Sequence, residues 1–218
     1  ACNGSGNALF TWANVPAGTY GLSAVYSGDT NYREATGTIA SYTIIKRNQA
    51  DLTAEGVPAD LHYGDASFTL TVNGGSGDGA ISFAVKSGTS VQVDPGSGEV
   101  TPVGIGESTV TVTKAGTEVY EPISVEVKIN VKAKSLSISG VTVKDKEYDG
   151  TAAAEITEIN LSGIVGDDAV TASATAAFKD AAAGVNKAVD LSNITLNGAD
   201  AGKYTIDQTA ADITTATI

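Results

Sequence analysis

Ile123-Ser124-Val125-Glu126-Val127-Lys128-Ile129-Asn130-Val131 alternates without a slip. Ile123, Val125, Val127, Ile129 and Val131 fall on one side; Ser124, Glu126, Lys128 and Asn130 fall on the other. An apolar period of two marks a β-strand with one buried face. Shorter runs repeat the pattern: Phe68-Leu70-Val72, Ile81-Phe83-Val85, Val110-Val112, Leu136-Ile138, Val189-Leu191 and Ile194-Leu196. Valine and threonine dominate them, as a pleated, half-buried surface favours. Turn signals separate the runs: Asn73-Gly74-Gly75-Ser76-Gly77-Asp78-Gly79, Asp94-Pro95-Gly96-Ser97-Gly98, Gly104-Ile105-Gly106 and Asn197-Gly198. Glycine supplies the positive φ such turns need, and Pro95 fixes its own φ. Residues 174–183 compete, because their alanines favour helix on propensity alone. They lack a 3.6-residue apolar stripe, and Gly184 and Asn186 interrupt them, so strand, turn and strand are expected.

The pattern repeats. Tyr63-Gly64-Asp65 returns loosely as Tyr148-Asp149-Gly150, 85 residues on (148 − 63). Gly28-Asp29-Thr30-Asn31-Tyr32 returns as Gly116-Thr117-Glu118-Val119-Tyr120 and as Asp200-Ala201-Gly202-Lys203-Tyr204. Those tyrosines lie 88 (120 − 32) and 84 (204 − 120) residues apart. A fixed period of this size indicates an array of similar modules. With about seven short strands per period, antiparallel because the connections are short, the expected fold is all-β: tandem antiparallel immunoglobulin-like β-sandwiches, end to end. The phase divides the chain into 1–46, 47–132 and 133–218. On this reading 1–46 is the C-terminal half of a module, contributing about four of about seven strands. Half a sandwich strands Leu9, Tyr20, Leu22, Tyr42 and Ile44 on an uncovered face and invites self-association through residues 1–46.

The junctions carry neither Gly/Ser-rich nor Pro-rich linkers: Ile45-Lys46-Arg47-Asn48-Gln49-Ala50 in one case, Val131-Lys132-Ala133-Lys134-Ser135-Leu136 in the other. One module's last strand is expected to run almost directly into the next module's first. Such short connections restrict bending, so a stiff rod is expected.

Net charge is −12. Residues 47–132 hold 5 basic against 11 acidic residues and residues 133–218 hold 6 against 12, so each carries −6. Without a basic face, neither nucleic acid nor an anionic membrane surface is an expected partner. No stretch is long and apolar enough to suggest membrane insertion. The single Cys2 rules out an internal disulfide framework.

Three stretches resemble known families. Val15-Pro16-Ala17-Gly18-Thr19-Tyr20 with Ala24-Val25-Tyr26-Ser27-Gly28-Asp29-Thr30-Asn31-Tyr32 resembles the closing half of bacterial immunoglobulin-like repeats. Gly98-Glu99-Val100-Thr101-Pro102-Val103-Gly104-Ile105-Gly106-Glu107-Ser108-Thr109-Val110-Thr111-Val112-Thr113 is similar to the core of another bacterial Ig-like group. Lys146-Glu147-Tyr148-Asp149-Gly150-Thr151, with Leu196-Asn197-Gly198-Ala199-Asp200-Ala201-Gly202-Lys203-Tyr204, resembles the YDG-type module of bacterial adhesins and other surface proteins. The resemblance implies an extracellular array on the cell surface or cell wall, holding a distal head away from the cell. It implies no catalytic residues and no cofactor. Tyr148 is expected to pack a strand end while Asp149-Gly150 make the turn.

The chemical alternatives are thin. A hydrolase triad needs histidine beside a nucleophile, and the one histidine, His62, precedes a turn with no such motif near it. One His and one Cys nearly exclude a four-ligand zinc site. Gly166-Asp167-Asp168 and Asn197-Gly198-Ala199-Asp200 offer oxygens for calcium, but neither follows the EF-hand pattern. Paired acids in a loop more often form a solvated turn. Trp12, the only tryptophan, is expected in a core; exposed, it would make a sugar platform. The expected function is a non-catalytic stalk or spacer. The alternative is direct binding of a glycan or host protein through loops or a sheet edge.

Overall fold

The computed structural model describes residues 11–13, 15–206 and 214–218; Cys2 and Leu9 lie outside the described residues. The fold is all-β, arranged in several small sheets. Residues 18–44 form one hairpin, β1 (Gly18–Tyr26) and β2 (Ala35–Ile44). Residues 47–132 hold β3 (Leu52–Glu55), β4 (Phe68–Thr69), β5 (Thr71–Gly74), β6 (Ile81–Ser87), β7 (Val91–Val93), β8 (Glu99–Pro102), β9 (Gly106–Lys114) and β10 (Ile123–Val131). Residues 133–218 hold β11 (Lys134–Val143), β12 (Ala153–Ala154), β13 (Ile156–Ser162), β14 (Thr171–Phe178), β15 (Lys187–Asn197), β16 (Tyr204–Ile206) and β17 (Thr214–Ala216). Among the described residues no helix is long and apolar enough to cross a membrane.

The alternating stretch is β10, an outer strand of a sheet ordered β10-β9-β6. Val125 pairs with Val112 and Val127 with Val110, so one face of both strands is aliphatic. Val110, Val112 and Ile129 are completely buried. Burying each such side chain is worth roughly 1.5–3 kcal/mol. The opposite face is wet, where Glu126 pairs with Lys86 and Glu107 with Lys128. Exposed pairs of this kind contribute at most about 1 kcal/mol each.

Two runs depart from a plain reading of the alternation. Phe68-Leu70-Val72 is not one strand: β4 pairs with β8 and β5 with β3. Between them buried Leu70 donates its N–H to the Gly98 carbonyl at 3.0 Å, which turns the chain from one sheet to the other. Conversely, Val189-Leu191 and Ile194-Leu196 belong to a single strand, β15. Their apolar positions slip from odd to even because Asn193 adopts φ 51°, beside a register shift in the pairing with β14. An extra residue of this sort returns the following side chains to the core. Residues 174–183 are strand followed by turn, as expected.

The hairpin of residues 18–44 differs from the expected half-sandwich in extent. Among the described residues it has two strands rather than four, and no residue from 11 to 46 is fully buried. Tyr20, Leu22 and Ile44 are half-buried, while Tyr42 is exposed. Trp12 is not in a core: it is 54% exposed and meets the edge of Tyr20, with ring centroids 5.5 Å apart. Among the described residues no second sheet is present to bury a tryptophan on this hairpin.

Gln49, within the first junction, fastens the start of residues 47–132. Its Nε2 donates to the Ala115 and Glu121 carbonyls at 3.1 and 2.8 Å, and its Oε1 accepts the Ser76 N–H at 3.0 Å. It is buried. Gln49→Leu leaves those groups unpaired, so a loss of about 1–3 kcal/mol is expected in urea denaturation; an unchanged midpoint contradicts this role.

Candidate functional site at the junction of 47–132 and 133–218

β10 ends at Val131 and β11 begins at Lys134. Only Lys132 and Ala133 lie between, so one segment does run almost directly into the next. Cross-bonding holds the turn. Tyr63 N–H donates to the Lys132 carbonyl at 2.9 Å, and Lys132 N–H donates to the Leu61 carbonyl at 2.8 Å. Leu136, Val170 and Tyr204 pack into the same apolar cluster as Leu61, Tyr63, Leu70 and Ile129. The core therefore continues across the junction. A second cluster, around Val143, Phe178 and Val189, draws on both sheets of residues 133–218.

At the partly exposed edge of the shared core a polar network is closed. Asp168 Oδ2 accepts the Tyr204 hydroxyl at 2.6 Å and the Tyr63 hydroxyl at 2.9 Å. Tyr204 Oη in turn accepts the Val165 N–H at 2.9 Å. Lys203 Nζ lies 2.8 Å from Asp200 Oδ1 and 3.4 Å from Asp168 Oδ1, and donates to Tyr63 Oη at 3.2 Å. The same ammonium stands 4.8 Å over the Tyr63 ring, a cation–π distance. Tyr63 and Tyr204 meet edge to face, 5.6 Å between centroids, an arrangement worth about 0.5–1.5 kcal/mol beyond area burial. Both rings are buried. Gly64, with φ +73°, completes the fit: a Cβ there would stand 2.3 Å from Val165 Cγ2.

The electrostatics follow from these contacts. The Tyr204 hydroxyl foremost, then the Tyr63 hydroxyl, holds the Asp168 carboxyl below its usual range. Lys203, then the Ala169 N–H, does the same for Asp200. The bond to Asp200 foremost, then that to Tyr63, raises the Lys203 ammonium. Burial, then donation to Asp168, pushes Tyr204 up to about 12. For a phenol raised above its unfolded value of about 10, the native contribution is complete below pH 10 and lost as pH rises through 12. One phenol ionising near pH 12 in an ultraviolet titration is therefore expected, and Tyr204→Phe should remove it. No phenol titrating above about pH 11 contradicts the network.

Three motifs marked separately in the sequence converge here: Tyr63-Gly64-Asp65, Gly166-Asp167-Asp168 and Asp200 to Tyr204. Of the acids weighed for calcium, Asp167 is exposed, while Asp168 and Asp200 receive the hydroxyl and ammonium donors just described. Among the described residues no group of three or more His, Cys, Asp or Glu is placed to hold a metal ion. His62 flanks the site, each ring nitrogen 3.8 Å from a carboxylate, Asp60 on one side and Asp65 on the other. Tyr148 does not pack a strand end; it is 67% exposed, and among the described residues no ring lies over it as Tyr204 lies over Tyr63. Asp149-Gly150 do make the turn: Asp149 Oδ1 accepts the Thr151 N–H at 2.9 Å, and Gly150 has φ +76°. With carboxylate, ammonium and phenols satisfying one another, the site works as a clamp between segments.

A YDG domain is found at residues 132–211, which contain Asp168, Lys203 and Tyr204. No characterised protein and no solved structure matches the chain.

Proposed function

We propose that the chain is a non-catalytic part of a bacterial cell-surface protein, a stalk or spacer in an adhesin-like array of tandem immunoglobulin-like sandwiches. The observation that carries this reading is the clamp, in which Tyr63 of one segment is held by Asp168, Lys203 and Tyr204 of the next over a continuous core. A spacer must transmit length, and a junction that cannot hinge does so. The YDG domain supports the reading through the surface proteins that its motif resembles. An acidic surface without a basic stripe suits an extracellular array, since like charge keeps long chains apart.

Small-angle scattering tests it. An elongated particle of one preferred length is expected; a compact globule or a broad ensemble of lengths contradicts it. The second reading, direct binding, is favoured by an open apolar furrow of about 580 Å³ between β6 and β7, lined by Phe83, Val85, Val91, Val93, Pro95 and Val103. Saturable binding to a glycan or matrix-protein array, abolished by Val85→Glu, would establish that reading over the spacer.

A further inference from the structure

Two Asn-Gly steps stand at strand ends, and their side chains are held differently. Asn73-Gly74 lies at the end of β5 and Asn197-Gly198 at the end of β15; Asn3-Gly4 lies outside the described residues. Both asparagines are exposed. Both glycines are required where they are. Gly74 has φ +86° and a Cβ there would strike the Asp51 carbonyl; Gly198 has φ +115° and a Cβ there would strike the Ala169 carbonyl. The side chains separate the two. Asn197 Nδ2 donates to Ser173 Oγ at 3.0 Å and to the Thr195 carbonyl at 3.4 Å. Among the described residues nothing bonds the Asn73 side-chain amide. The Gly74 nitrogen is also outside the ladder with β3. Gly75 N–H donates to the Asp51 carbonyl at 3.0 Å, and the next pair is Gly74 with Leu52. Bonded and unbonded pairs alternate along an antiparallel ladder. Gly74 N–H therefore points away from β3, to the open edge of a two-stranded sheet.

We propose that Asn73-Gly74 is a self-modifying site, where Asn73 converts to aspartate and isoaspartate in the folded chain while Asn197 is held back. The Gly74 nitrogen gives up its proton to hydroxide and bonds to Asn73 Cγ. The Cγ–Nδ2 bond breaks, and ammonia leaves with a proton from water, which restores the hydroxide and leaves a succinimide ring. Water then opens the ring. Breaking the new bond between Cγ and the Gly74 nitrogen gives aspartate. Breaking the bond from that nitrogen to the Asn73 main-chain carbonyl carbon gives isoaspartate, whose chain runs through Cβ and Cγ. Glycine, with no side chain, hinders the attack least, and the fold requires glycine at 74. Asn197 must first leave Ser173 and Thr195, which slows its reaction by about tenfold. Isoaspartate lengthens the main chain by one carbon just ahead of the loop that fastens Gln49. In that loop Ser76 N–H donates to Gln49 Oε1 at 3.0 Å, and Ser76 Oγ accepts the Ala50 N–H at 3.0 Å. The fastening at Gln49 is therefore the contact that ageing loosens. The inference stands apart from the spacer reading.

The test holds the full chain in mildly alkaline buffer, folded in one arm and in concentrated guanidinium chloride in the other. Peptide mass spectrometry follows the loss of each asparagine, and isoaspartate is scored by enzymatic methylation of its free carboxyl. In the folded arm Asn73 is expected to convert at least about tenfold faster than Asn197. In guanidinium the two rates should converge. Ser173→Ala, at an exposed position, should speed Asn197 and leave Asn73 unchanged. Chains carrying isoaspartate at 73 should unfold at lower denaturant than the Asn73→Asp variant, which has the same charge and an unaltered main chain. Equal rates at the two sites in the folded chain overturn the proposal. So does a difference that persists in guanidinium, because its cause would then be local sequence and not the fold. Isoaspartate chains as stable as Asn73→Asp overturn the loosening at Gln49.

Discussion

Replacing Tyr204 with alanine is expected to cost about 3–5 kcal/mol, the range for deleting a large buried ring. The ring fills the shared core against Tyr63. Its hydroxyl is the shortest donor to Asp168 in the clamp and the acceptor for the Val165 N–H. Tyr204→Phe keeps the ring and removes only the hydroxyl, so about 1–3 kcal/mol should be lost, the cost of leaving partly buried polar groups unpaired. Chemical denaturation followed by tyrosine fluorescence measures both. A drop below about 1 kcal/mol for the alanine variant would show that the ring is peripheral.

Gly64→Ala is the second large effect, expected at about 2–6 kcal/mol. Two causes combine: about 1–3 kcal/mol for holding a side chain at φ +73°, and a further 1–3, roughly, for forcing a methyl against Val165. Only the second cause crosses the junction. Val165→Ala should therefore relieve part of the Gly64→Ala loss, and the non-additivity of the pair reports the contact between the segments. Strict additivity would mean that Gly64 and Val165 do not touch in solution.

How much was legible in the chain depended on whether one residue or several decided the outcome. The β10 alternation was legible because one buried face imposes period two. The joining of Val189-Leu191 and Ile194-Leu196 was not legible, because a change of parity fits two strands as well as one strand with an extra residue at Asn193. Nor was the split at Leu70, since its cause is a carbonyl at Gly98, remote in the chain. Gln49 escaped for the same reason, its partners lying as much as 72 residues away. At the clamp Tyr63, Asp168, Asp200, Lys203 and Tyr204 each sat in a marked motif, whereas Val165 did not, and no motif says what it meets. Tyr63 and Asp168 are 105 residues apart and Tyr63 and Lys203 are 140 apart. Tyr148 shows the converse: it falls 85 residues after Tyr63 in a similar motif, yet it is 67% exposed where Tyr63 is 7% exposed.

The most direct measurement is of residual dipolar couplings on the isotope-labelled chain in a dilute aligning medium. Amides of β6, β9 and β10 and amides of β11, β14 and β15 are fitted separately. A clamp that fixes the two segments predicts one alignment tensor, equal in magnitude and orientation for both sets, that splits into two when Asp168 is replaced by alanine. Two tensors of different magnitude in the unmodified chain would mean that the segments reorient freely, and the clamp would not be what sets the length of the molecule.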